Sequence, residues 1–156
     1  MLFLVCQMGR ERYALEASRI VEVLPLVSLK RLPRAPRGVA GVFNYRGQPV
    51  PAIDLSDLTV GEPAAQRLST RIIVVNYLDA TGRNQLLGLI AEFATELLRK
   101  EPKEFADPGV KVGNAPYLGP VLIDGQGRTI QWLLQQRLLS EPVENVLFSD
   151  AVLTAL

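Results

Sequence analysis

Short apolar runs separated by turn residues fill most of the chain, and few of them have the length of a helix. Residues 2–7 (LFLVCQ) and 12–17 (RYALEA) are joined by the polar Gly9-Arg10-Glu11, the pattern of a β-hairpin. Ser18 then heads SRIVEVL, where Ile20, Val21, Val23 and Leu24 recur at helical spacing with Arg19 and Glu22 off that face. This predicts a short helix capped by Ser18 and ended by Pro25. LVSLKRLPRAPRG, basic and broken by Pro33 and Pro36, predicts a short strand leading into an extended loop. GVAGVFNY and QPVPAIDL read as two strands around an Arg46-Gly47 turn. Pro49 and Pro51, two apart, place the second of them at a sheet edge or a strand entry.

The second half has the same texture. Residues 58–69 are loop-like, and RIIVVNYL (71–78), the most β-branched segment, predicts a central strand. DATGRN is a turn and NQLLGLIAE the returning partner strand. FATELLRK (93–100) is predicted as another short amphipathic helix, and 101–116 as a long loop. YLGPVLIDGQGRTIQWLL supplies two last strands around Asp124-Gly125. The tail, 139–156, has the periodicity of a closing helix with Pro142 near its first turn.

Two stretches repeat. ALEASRIVEVL from Ala14 and GLIAEFATELL from Gly88 match Leu15 to Leu89, Ala17 to Ala91, Glu22 to Glu96 and Leu24 to Leu98, at an offset of 74. GVFNYRGQPVPAIDL from Gly41 and GPVLIDGQGRTIQWLL from Gly119 repeat the order strand, glycine turn, strand at an offset of 78. The expected fold is therefore mainly β, with two small barrels built alike, each of about five strands, sharing an apolar seam.

Composition removes several functions. A chain of 156 residues fits one compact domain, and 48% apolar with 21% charged residues is ordinary globular usage. Seventeen basic against sixteen acidic residues leave +1, little of the positive field that phosphate binding depends on. Histidine is absent, so there is no Ser-His or Cys-His nucleophile and no common zinc site. Carboxylates such as Asp54 and Asp57, or Glu101 and Glu104, form no matched acid–base pair, and neither GxGxxG nor GxxxxGK[ST] occurs. Catalysis, metal and cofactor are not expected. Cys6, the one cysteine, sits in an apolar run and reads as a small buried hydrophobe, and Trp132 reads as core packing. The amino terminus has no basic leader and no apolar run approaches the ~20 residues of a membrane span, so a soluble cytoplasmic protein is expected.

The succession Phe3-Leu4-Val5, Tyr13-Ala14-Leu15, Ile20-Val21-Glu22-Val23-Leu24, Leu32-Pro33-Arg34-Ala35-Pro36, the run from Gly38 to Gly47, and Pro51-Ala52-Ile53-Asp54-Leu55 resembles the CheW family of chemosensory coupling proteins. Thr70 to Val75, Gly88-Leu89-Ile90 and Glu96-Leu97 continue it, so that it covers almost the whole chain. The resemblance implies two SH3-like barrels: a first from about residues 15–68 with adjoining terminal strands, a second over 71–138, and a helical tail at 139–156. It implies a non-enzymatic adaptor between methyl-accepting receptor tips and a CheA-type histidine kinase, at membrane-associated receptor arrays. Carried over by position, the receptor-facing residues are Ile20 and Glu22 on the predicted short helix, and Gly41, Asn44, Arg46 and Gly47 on the hairpin. The kinase face is not assigned.

The chain departs from the family pattern at Ala91-Glu92, Pro120, Gln131 and Gln135, all in the second half, as expected of a divergent paralogue in an array other than the one that steers flagella. Arg46, between Tyr45 and Gly47, suits docking because its planar fork makes directed hydrogen bonds, and Glu22 is positioned to pair with it. A rival reading stays open: a small β-barrel nucleic-acid module using Lys30, Arg31, Arg34 and Arg37. The prolines among them and the lack of stacking aromatics favour a solvated loop instead.

Overall fold

The computed structural model describes residues 1–148. Strand β1 (Leu2–Met8) turns into β2 (Glu11–Glu16), and a 3₁₀ turn at Ala17–Arg19 leads to β3 (Ile20–Pro25). After an irregular stretch come β4 (Val39–Tyr45), β5 (Gln48–Asp54) and helix α1 (Leu55–Val60). Then follow β6 (Arg71–Leu78), the long β7 (Asn84–Arg99), β8 (Leu118–Ile123), β9 (Thr129–Leu133) and helix α2 (Glu141–Phe148).

Hydrogen bonding sorts the strands into two SH3-like groups of five that share β7. The first runs β3-β6-β7-β5-β4, and the second β7-β1-β2-β9-β8. The first part of β7 pairs antiparallel with β6, and parallel with β5 through Ala52 and Gly88. Its last residues pair with β1, Val5 opposite Glu96 and Leu2 opposite Arg99. The expected division into about 15–68 and 71–138 is thereby corrected. β6 and the start of β7 complete the first barrel, whereas β1 and β2 belong with β8 and β9. An apolar pattern says which faces are buried, not which strand lies beside which.

The two barrels are built alike. The parallel pairing of β5 with β7 has its counterpart in β9 with β2, where Ala14 faces Trp132. Val42 bridges to Lys30 in one barrel, and Val121 to Ala106 in the other. The segments repeated at an offset of 74 are the ones that cross between barrels. The first does so through the 3₁₀ turn before β3, and the second within β7, where Phe93 takes a positive φ of 51°.

Alternation along the strands builds three cores. In β6, Ile72 and Val74 enter the first barrel with Phe43 and Val50, while Ile73 and Val75 face a seam shared with Leu4, Cys6, Met8 and Leu89. The second barrel closes on Phe3, Phe105 and Ile130, and Trp132 packs edge-on against Phe3 at 5.0 Å between ring centroids. Burial pushes the Cys6 thiol up to about 12, which leaves it a packed, unreactive hydrophobe at neutral pH.

Three local expectations change. The helix over SRIVEVL is a strand: Val21 and Val23 point outward while Ile20, Glu22 and Leu24 are half-buried, and a register shift between Ile20 and Glu22 absorbs the odd residue. FATELLRK is also strand, because pairing with β1 satisfies its backbone and overrides helix propensity. The loop expected at 58–69 is shortened by α1. Asp54 caps that helix by accepting from the Ser56 and Asp57 amides, and Gly61 ends it in the left-handed region. The closing helix is present as α2, and the rest of the predicted 139–156 helix, 149–156, lies outside the described residues.

Candidate docking site

The β4–β5 hairpin closes with Tyr45 opposite Gln48, so Arg46 and Gly47 form a two-residue turn. Both have positive φ, 51° and 83°, the geometry that matches the twist of the flanking strands. The Asn44 side chain locks this turn by accepting from the Gly47 amide at 2.8 Å. The turn thus holds an arginine in the left-handed region at the tip of a rigid ribbon.

Arg46 reaches β3, the edge strand of the same barrel. Its Nη2 donates to Glu22 Oε1 at 2.9 Å, and its guanidinium lies over the Tyr45 ring, 5.3 Å from the centroid. The arginine side chain is 73% exposed and the glutamate 31%. Burial and a hydrogen bond to Glu22 push the Tyr45 phenol up, so it remains a neutral donor to the carboxylate. A pair this exposed adds little to stability, about 0–1 kcal/mol. What the arrangement provides is a guanidinium held in direction by one carboxylate and one ring face, with most of its donors free for a partner.

Of the six residues singled out in sequence, five meet at this edge. Glu22 and Arg46 touch, Asn44 and Gly47 build the turn, and Ile20 is half-buried in β3 against the shared seam. Gly41 lies apart from that edge. It is buried, with φ 147°, and a Cβ there would collide with the Lys30 backbone carbonyl. Gly41 therefore lets the preceding segment cross the hairpin and shapes the site from beneath. The helical reading hid the exposure of Val21 and Val23, which stand beside Glu22 on the edge strand.

The second barrel carries a related but distinct cluster. Glu96, the repeat counterpart of Glu22, accepts from Arg12 at 2.8 Å, and Arg12 also binds Asp124 of the β8–β9 turn at 3.2 Å. Here the hairpin contributes the acid and β2 an arginine, and the turn's own exposed cation, Arg128, donates to that same Asp124 at 3.2 Å instead of reaching a neighbouring strand. The basic loop disperses: Lys30 lies beside the hairpin, Arg31 lines a cavity with Asp54 and Asp57, and Arg37 lines a separate cavity at the seam. That spread does not make the continuous cationic track a nucleic-acid module uses. Among the described residues no group of three potential ligands could hold a metal ion, and no helix is long and apolar enough to cross a membrane.

Comparison with known proteins agrees with this geometry. Over 92 residues, 58% of this chain and 52% of the relative, it is 36% identical to the chemotaxis protein CheW of Helicobacter pylori. It is 25% identical over 96 residues to the chemotaxis protein CheW of Klebsiella aerogenes, covering 62% of this chain and 55% of that one. The matched stretch thus spans about half the length of these curated relatives. The crystal structure of the scaffolding protein TtCheW from Thermoanaerobacter tengcongensis superposes with a TM-score of 0.76 at 24% identity, covering 89% of this chain and 87% of that one, which establishes the fold. Residues 2–143 match the family model of the CheW-like domain. Twin barrels sharing a strand, an Arg-Gly hairpin tip and a match across nearly the whole chain lead to one assignment: this chain belongs to the CheW-like family, whose members are non-enzymatic scaffold and adaptor proteins.

Proposed function

We propose that the chain is a non-catalytic adaptor that couples the signalling tips of methyl-accepting chemoreceptors to a CheA-type histidine kinase. The observation that carries this reading is the Glu22–Arg46 pair, held at the tip of a locked hairpin against an exposed edge strand on a CheW-like scaffold. A helical receptor tip would dock through an apolar face flanked by polar contacts. Val21 and Val23 offer the apolar part of a matching surface, and Arg46, Asn44 and Gly47 the directed polar part. Ile20 sets the seam side of that surface, and Gly41 supports the hairpin.

The departures at Pro120, Gln131 and Gln135 fall in the second barrel and Ala91 pairs with Arg71 of β6 in the first; that all of them spare the hairpin edge supports service in an array other than the one that steers flagella. Pro120 falls in the register shift between Leu118 and Val121, where the ladder is already interrupted, and Gln131 is tied down by donating to the Gly119 carbonyl at 2.9 Å.

The test is capture of receptor signalling-tip fragments and of a CheA-type kinase by wild type and by Arg46→Glu. Wild type retains both, and the variant keeps the kinase but loses the receptor fragment. Equal retention by the variant contradicts the site; failure of wild type to retain either partner contradicts the function.

A further inference from the structure

Helix α2 lies on the seam between the barrels without a single buried residue of its own. Val143, Leu147 and Phe148 rest half-buried against the shared core, while Pro142, Asn145 and Val146 face outward. Most of a helix's stability in a protein comes from packing one face. A face that is only half-buried places α2 at the low-stability end of the fold, where local opening is least costly.

A directed clamp holds it there. Glu144 accepts from the Tyr77 hydroxyl at 2.8 Å and from the Ala80 amide at 3.1 Å, and the Phe148 ring stacks on that of Tyr77 with centroids 6.0 Å apart. Burial, and then the bond to Glu144, push the Tyr77 phenol up, so at neutral pH it is a protonated donor. Ala80 follows Asp79, whose carboxylate braces the β6–β7 turn, so the amide that α2 grips is fixed in direction. The surface under the helix runs on to the docking edge. Val75, two residues before Tyr77 on the same seam-facing side of β6 and hence about 7 Å away, pairs with Ile20. Gln136, in the 3₁₀ turn that leads into α2, accepts from Arg19 at 3.0 Å, and it both accepts from the Leu78 amide and donates to the Leu78 carbonyl at 3.3 Å. The tether of α2 is thus hydrogen-bonded to the residue that precedes Ile20.

We propose that α2 is an autoinhibitory strap: it covers the seam side of the docking surface beside Ile20, and it lifts when a partner helix seats there. The identity of that partner, a helical receptor tip, rests on the adaptor reading. α2 presents to the seam what such a helix would present, an apolar face of Val143, Leu147 and Phe148 with a carboxylate at its flank. A helix with its side chains is about 10 Å across, so one seated beside Ile20 overlaps one seated over Tyr77. The partner's apparent affinity is then scaled by the fraction of molecules in which α2 is lifted.

The experiment has two arms, both on the full chain. In the first, amide hydrogen exchange of the free protein is followed by NMR. Residues 145–148 and Ala80 should exchange as one unit, at least about a hundredfold faster than Val74 in the middle of β6. Phe148→Ala, which makes neither of the Glu144 bonds, should speed exchange at Ala80 together with the helix and leave Val74 unchanged. In the second arm, the affinity for a receptor signalling-tip fragment is measured. Glu144→Ala and Phe148→Ala should each tighten binding about threefold or more, a gain that the loss of a merely structural contact would not produce. Exchange of residues 145–148 as slow as that of Val74 overturns the strap, and so does binding by wild type that neither variant tightens. If wild type and both variants all fail to bind, the adaptor reading and the competition fail together, while the first arm still decides whether α2 lifts.

Discussion

Gly41 and Gly47 both take positive φ, and their surroundings separate them. A side chain at Gly47 meets nothing within 4 Å, so Gly47→Ala carries only the conformational cost of about 1 kcal/mol. At Gly41 the same methyl runs into the Lys30 carbonyl, so Gly41→Ala should cost about 2 kcal/mol or more, read as the shift in urea-unfolding free energy. Equal losses would contradict the buried placement of Gly41. Arg46→Glu should change stability by less than about 1 kcal/mol, because the pair it breaks is exposed. Legibility follows the same division. The turn role of Gly47 and the pairing of Glu22 with Arg46 could be read from a strand-turn-strand pattern and complementary charge. The role of Gly41 could not, because the backbone that crosses it comes from Lys30, outside the hairpin.

Two elements expected as helices are strands, and the reason is specific. In IVEVL the apolar positions i, i+1, i+3 and i+4 suit a helix, but they also suit a strand with one register shift, and the β-branched content favoured the strand. In β7 the deciding partner is β1, which lies at the far end of the chain. The strand form makes a prediction that a helix would not. Leu98 packs with Phe3 in the second barrel while its neighbour Leu97 is 63% exposed. Leu98→Ala should therefore cost about 1–3 kcal/mol and Leu97→Ala less than about 0.5 kcal/mol in the same unfolding assay, and similar losses would argue against the strand. The β6–β7 turn adds a pH dependence. Asp79 accepts from the Thr81 hydroxyl and amide, the Gln85 amide group and the Arg83 amide, which holds its carboxyl at about 2, below an ordinary 3.8. A depressed folded value means that its stabilisation is complete above 3.8 and is lost as pH falls toward 2. Wild type should thus exceed Asp79→Asn in urea midpoint at pH 5, with the gap closing by pH 2; a gap independent of pH would contradict this role.

At the scale of the molecule, the sharing of β7 makes the two barrels one body. Its first part is hydrogen-bonded into one barrel and its last residues into the other, and β6 is buried on both faces. The duplication was visible in the sequence because the repeated segments carry the crossings, where Glu22 and Glu96 hold equivalent positions on strands that pair with β6 and β1. The exchange of strands between halves was not visible, since no local pattern encodes which distant edge a strand joins. The repetition also shows a contrast: at one hairpin tip Arg46 is held by Glu22 of a neighbouring strand, whereas at the other the exposed Arg128 folds back onto Asp124 of its own turn, which Arg12 also binds. Docking through the Arg46 guanidinium of the first barrel is the proposal on which the account rests. Its most direct test is autophosphorylation of a CheA-type kinase with receptor signalling-tip fragments and wild type, Arg46→Glu, Glu22→Arg or the double charge exchange. The account predicts stimulation by wild type, loss of most of it with Arg46→Glu, and no full recovery in the double variant, because the guanidinium then sits on the edge strand instead of the hairpin tip. Stimulation by Arg46→Glu equal to wild type would contradict it.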